Sequence, residues 1–136
     1  MRVVVDANIL FAGLLRDSAT RELLLHAPLE LYAPAWLWEE TTRNLPALAE
    51  RSNIATAVLT ALADRLLERI QAVPEAVLAL HAREALRRCQ ASGAKDAPYV
   101  ACCLAVDGAL WSHDGRLSKE AGVATVSTAF LLERYG

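Results

Sequence analysis

The chain opens on three consecutive valines, Val3 to Val5, that stop at Asp6. An unbroken β-branched run predicts a strand covered on both faces. Residues 7–15 then predict a helix, and residues 18–26 a second, with Ser18 or Thr20 as its N-cap. Residues 29–34 read as a strand that Pro34 stops, and 35–48 as the helix that this proline introduces. In that helix Leu37, Thr41, Leu45 and Leu48 share one stripe, expected to face the core. Within 54–67, Val58, Leu62 and Leu66, with Leu59 beside them, mark an amphipathic helix for the core or a dimer surface. Residues 70–73 form a short strand, 75–90 a helix and 92–95 a loop. Asp96 caps a helix that carries Pro98 early and runs to about Val106. After a turn at Asp107-Gly108 come a strand at 109–112, a loop at 113–115 and a short helix at 116–121. A strand at 123–126 and a helix at 127–135 close the chain.

Strands alternate with helices throughout. That order predicts an α/β fold with a parallel sheet and right-handed crossovers. No repeat, low-complexity tract or linker interrupts it, so residues 1–136 are expected to form one domain. In such sheets ligands sit beyond the carboxyl ends of the strands, where strand order reverses. Residues that follow strands therefore carry the functional weight.

Composition narrows the field. A hydrophobic fraction of 54% provides for a sizeable core. No apolar run approaches the roughly 20 residues that span a bilayer, and Asp6 interrupts any signal-peptide core at once. A cytoplasmic location without membrane contact is expected. Three cysteines, two of them adjacent at 102 and 103, suit buried reduced thiols, and no Cys/His spacing suggests zinc. A net charge of −2 argues against a module that holds nucleic acid by charge alone. It leaves room for an enzyme whose carboxylates meet phosphate through bound cations.

The carboxylates are the candidates. Asp6 ends the first strand, Asp114 follows the strand at 109–112 by two residues, and Asp96 begins a helix. Each has an ordinary alternative: Asp6 and Asp96 as helix caps, Asp114-Gly115 as a turn. Capping and metal ligation are compatible. A carboxylate at the edge of a core costs free energy unless paired or bound to a cation. For the fourth acid, Glu39 lies almost opposite the apolar stripe of its helix. Glu40 lies about a right angle from the stripe, at the border of core and water. Glu40 is therefore preferred. Clustered acids without nearby bases suit Mg²⁺ or Mn²⁺, and phosphodiester hydrolysis is the natural reaction class.

RVVVDANIL, LYAPAWLWEE, KDAPYVACCLAVDGALWSHDGRLS and the closing VATVST together resemble PIN-domain ribonucleases over essentially the whole chain. The resemblance implies a three-layer α/β/α fold with a five-stranded parallel sheet in the order 3-2-1-4-5. It implies Asp6, Glu40, Asp96 and Asp114 as catalytic and metal-binding acids, with Mg²⁺ or Mn²⁺ as cofactor. Asn8 falls on the Asp-x-Asn motif and Ser112 two residues before the fourth acid. Both would hold carboxylates or waters in place, against the alternative of local turn hydrogen bonding. It further implies cleavage of single-stranded RNA, a toxin role with an antitoxin protein as partner, and a homodimer. The sequence departs from the family at Arg116, where a further acid is common.

Lesser candidates are Lys95, Arg16, Arg43 and Arg116 as phosphate contacts or plain surface charges, His113 as a general acid, and Trp36 as base-stacking, core or dimer residue. Aspartyl-phosphate phosphatases want a second Asp where Asn8 stands, and receiver domains want paired acids where Ala7 follows Asp6. A PIN-like fold serving as a non-catalytic partner-binding or regulatory module is the remaining rival.

Overall fold

Val3, Val4 and Val5 are wholly inaccessible to solvent. They form the centre of β1 (Arg2–Val5), the middle strand of a five-stranded sheet. In the computed structural model, which describes residues 1–113, 118–119 and 121–136, the other strands are β2 (Glu30–Pro34), β3 (Ile70–Val73), β4 (Ala109–Trp111) and β5 (Thr125–Val126). The sheet order is β3-β2-β1-β4-β5, and every pairing is parallel. The helices are α1 (Ala7–Leu15), α2 (Ser18–His26), α3 (Trp36–Ser52), α4 (Thr56–Glu68), α5 (Glu75–Arg88), α6 (Ala97–Val106) and α7 (Thr128–Tyr135), with a 3-10 turn at Ala94–Asp96.

The strand period of two sorts the side chains into two layers. Val3, Val5 and Trp111 pack with α1 to α4 and with Leu131 of α7. Val4 and Leu110 face the opposite way, against α5 and α6. The result is the expected three-layer α/β/α sandwich. Because β1 pairs with β2 on one side and β4 on the other, the chain reverses its direction of travel across the sheet at β1. Val5 pairs with Trp111, which sets Asp6 beside Ser112 at the carboxyl edge.

The stripe of α3 is as expected: Leu37, Thr41, Leu45 and Leu48 are all buried. The helix runs on to Ser52, past Pro46, and ends at Asn53 with a left-handed φ of 57°. Pro46 is exposed, and burial of Leu45, Leu48 and Ala49 carries the helix across it. Helix α4 is turned by about one position from expectation. It buries Leu59, Ala63, Leu66 and Leu67, and leaves Val58 60% exposed. The α2 N-cap is Asp17, not Ser18 or Thr20: its Oδ1 accepts from the Thr20 N–H at 3.1 Å. Strand β5 is shorter than residues 123–126. The turn at Asp114 and half of the helix expected at 116–121 lie outside the described residues.

Three arginines fasten separate segments of the chain to one another. Arg69 donates to the Leu24 and Ala27 carbonyls at 3.1 and 2.6 Å, closing the end of α2. Arg21 donates to the Gly13 carbonyl at 2.7 Å at the end of α1. Arg88, held by Glu84, reaches the Ala121 and Gly122 carbonyls. Cys89, Cys102 and Cys103 are free and buried, and burial pushes the Cys102 and Cys103 thiols up to about 12. Among the described residues no helix is long and apolar enough to cross a membrane.

Candidate functional site

Asp6 leaves β1 in extended conformation and caps α1, its Oδ1 accepting from the Ile9 N–H at 2.9 Å. A cap ordinarily lowers a carboxyl pKa. Here burial prevails and raises it. The Ile9 and Asn8 amides and His113 pull it down, and the neighbouring Asp96 pushes it up again. Among the described residues no arginine or lysine pairs with Asp6. Asp6 is thus a cap and, at the same time, a desolvated carboxyl facing a second acid.

That second acid does not cap. Asp96 stands at the N-terminus of α6, but the preceding 3-10 turn gives it helical φ and ψ of −83° and −15°. A capping side chain needs an extended backbone to reach back to the helix amides. Asp96 therefore makes no capping hydrogen bond, and its charge is felt at Asp6 instead. One turn later, the Tyr99 Oη accepts the Ala7 N–H at 3.2 Å. This bond ties the start of α6 to the start of α1. Burial holds the phenol well above its ordinary value, and the Asp6 and Glu40 carboxylates add to the effect. Trp36 meets the Tyr99 ring edge-on at 5.7 Å, so α3 joins the same corner.

Glu40 sits at the half-exposed border of α3. Arg43 lies 3.3 Å from its Oε2 and the Asn44 amide 3.4 Å from its Oε1. Glu39 is exposed and lines a shallow hollow with Trp38, Thr42 and Arg43. Glu40 acts electrostatically on Tyr99. Ser112 is buried at the end of β4, where its N–H donates to the Val126 carbonyl at 3.1 Å. Asn8 is exposed in the first turn of α1. Asp114 and Arg116 lie outside the described residues. Among the described residues no three His, Cys, Asp or Glu side chains are grouped closely enough to hold a metal ion. What the structure couples electrostatically is Asp96 with Asp6, and Asp6 and Glu40 with Tyr99. Those donors are all oxygen and suit a hard divalent cation.

Beyond Asn8 and His113 opens a cleft of about 1140 Å³, bounded by Phe11, Leu15, Arg16 and Asp17 on one side and Arg51 and Ser52 on the other.

A family model described as PIN domain matches residues 4–134. The chain belongs to the PIN domain family. No curated protein matches the sequence. The crystal structure of PAE2754 from Pyrobaculum aerophilum aligns with a TM-score of 0.68 at 19% identity, covering 98% of this chain and 88% of that one. The structure of VapBC2 from Rickettsia felis, bound to a DNA fragment from their promoter, aligns at 0.70 and 11% identity, covering 93% and 98%. At these identities the likeness is one of fold.

In this PIN domain, sequence reasoning passed over Tyr99 and Arg51. The signal for Tyr99 was its spacing, one helical turn after Asp96. Arg51 fell beyond the helix end expected at residue 48, so it had no face to be placed on.

Proposed function

We propose that this PIN domain is a divalent-metal-dependent endoribonuclease that hydrolyses phosphodiester bonds of single-stranded RNA. The observation that carries the reading is Asp6. It is a desolvated carboxyl at the end of the central strand, beside Asp96, at the point where strand order reverses. Asp6, Asp96 and Asp114 would hold Mg²⁺ or Mn²⁺, and Glu40 would hold a second ion or orient the attacking water. When bound, the cation acidifies a water and neutralises phosphate charge. Asn8 and Ser112 steady the acids on either side of the β1–β4 edge. Tyr99 fixes the first turn of α1 to α6, which keeps Asp6 and Asp96 in register. In the reaction, water oxygen bonds to phosphorus as the bond from phosphorus to the leaving ribose oxygen breaks.

A toxin role with an antitoxin protein belongs to the same reading, supported by the likeness of fold to VapBC2. So does a homodimer, for which Leu80 and Leu86 of α5 offer exposed apolar surface. The test is cleavage of single-stranded RNA by the purified chain with Mn²⁺, with chelator, and in the Asp6→Asn and Asp96→Asn variants. Cleavage is expected with Mn²⁺ alone and only in the parent protein. Undiminished cleavage in either variant would remove the site assignment, and no cleavage in any condition would favour the non-catalytic module.

A further inference from the structure

We infer that the cleft beside Asn8 and His113 is the track for the RNA strand flanking the bond to be cut, with Arg16 and Arg51 holding its phosphates. The inference rests on the hydrolytic reading and adds to it a direction and two anchoring residues. The cleft opens beside the carboxylate corner. Asn8 lines its near end, two residues from Asp6, and His113 acts electrostatically on both Asp6 and Asp17. Along α1 the lining residues run Asn8, Phe11, Leu15 and Arg16, a single helix face about 12 Å long. That length fits a short stretch of strand better than one nucleotide.

The charges in the cleft are unspent. Arg2, Arg21, Arg43, Arg69, Arg87 and Arg88 each bond a carbonyl or a carboxylate. Arg16 and Arg51 are exposed and line the same cleft, and their guanidiniums make no hydrogen bond or ion pair with any described residue. The acid that lines the cleft with them, Asp17, is committed to the Thr20 amide as a helix cap. Two free guanidiniums facing one groove, in a chain of net charge −2, are a local site for a polyanion. Half-buried Phe11 lies between them and the acids, where an unpaired base can rest on its ring.

The test is fluorescence anisotropy of a labelled single-stranded RNA across a salt series, in the Asp6→Asn background. Arg16→Ala and Arg51→Ala are each expected to weaken binding about ten-fold and to reduce the log–log salt slope by about one. Arg83→Ala, an exposed arginine on α5 across the sheet, should do neither. Circular dichroism controls for folding. If the double variant binds and responds to salt as the parent does, or if Arg83→Ala weakens binding equally, the track is not there. Should the wild-type chain cleave RNA regardless, the hydrolytic reading survives that result. Should binding depend on both arginines while no condition supports cleavage, the cleft stands as an RNA-binding groove, and the hydrolytic reading falls together with the groove's role beside a bond to be cut.

Discussion

The backbone N–H of Ala7 donates to the phenol oxygen of Tyr99 across 92 positions of sequence. One hydrogen bond thereby couples the residue after Asp6 to the residue one turn past Asp96. Tyr99→Phe keeps the ring against Trp36 and leaves the Ala7 amide without its acceptor. Urea unfolding should show a loss of about 1–2 kcal/mol, and RNA cleavage should fall with it. Unchanged values in both assays would reduce Tyr99 to a packing residue.

Asp6→Asn should separate stability from activity. Asn caps helices about as well as Asp, so α1 is kept. In the folded chain Asp6 ionises above its ordinary value of 3.8 because it is buried. Between that value and the raised one, the folded state keeps a proton that the unfolded state has lost. Rising pH therefore lowers stability through this window. Without divalent ions the variant should melt higher than wild type at pH 7, and the gap should close as pH falls toward 3.8. Mn²⁺ should then raise the melting temperature of wild type alone. A variant that melts lower at pH 7 would contradict the burial argument.

The two adjacent acids of α3 should respond differently. Glu40→Gln is expected to slow cleavage roughly 100-fold or more, as for a group that positions the reacting water. Glu39 is exposed beside Trp38, Thr42 and Arg43, and Glu39→Gln should leave the rate unaltered. Initial rates on one RNA at saturating Mn²⁺ decide it, and the reverse ranking would move the site to Glu39.

These contrasts mark what the sequence could and could not convey. The valines of β1, the stripe Leu37–Thr41–Leu45–Leu48 and the strand order all followed from period and resemblance, because each is a repeated signal. Helix α4 was harder. Apolar residues lie on several of its sides, and the small Ala63 that packs the core weighs less in a hydropathy pattern than the exposed Val58. Asp96 read as a cap because the 3-10 turn before it, which sets its backbone angles, leaves no mark in residue type. Tyr99 and Arg51 depend on tertiary neighbours. Spacing sets Tyr99 one turn after Asp96, but nothing local marks its bond to an amide 92 residues away.

Arg69 offers a stability test remote from the site. Its guanidinium serves two carbonyls at the end of α2, including Ala27 at 2.6 Å. Arg69→Met keeps the aliphatic stem and removes both bonds. Urea unfolding should report a loss of about 2 kcal/mol, with RNA cleavage at the working temperature little affected. No change would show that water replaces the guanidinium at no cost.

Cys102 and Cys103 give the molecule an internal clock. Protonated at neutral pH and sealed within α6, the two thiols are dark to alkylating reagents until that helix lifts from the sheet. Their labelling, read residue by residue, follows how often the layer bearing Asp96 and Tyr99 opens. A divalent ion that clamps Asp96 to Asp6 should slow the clock, which makes cation binding visible in a protein that has been given no RNA to cut.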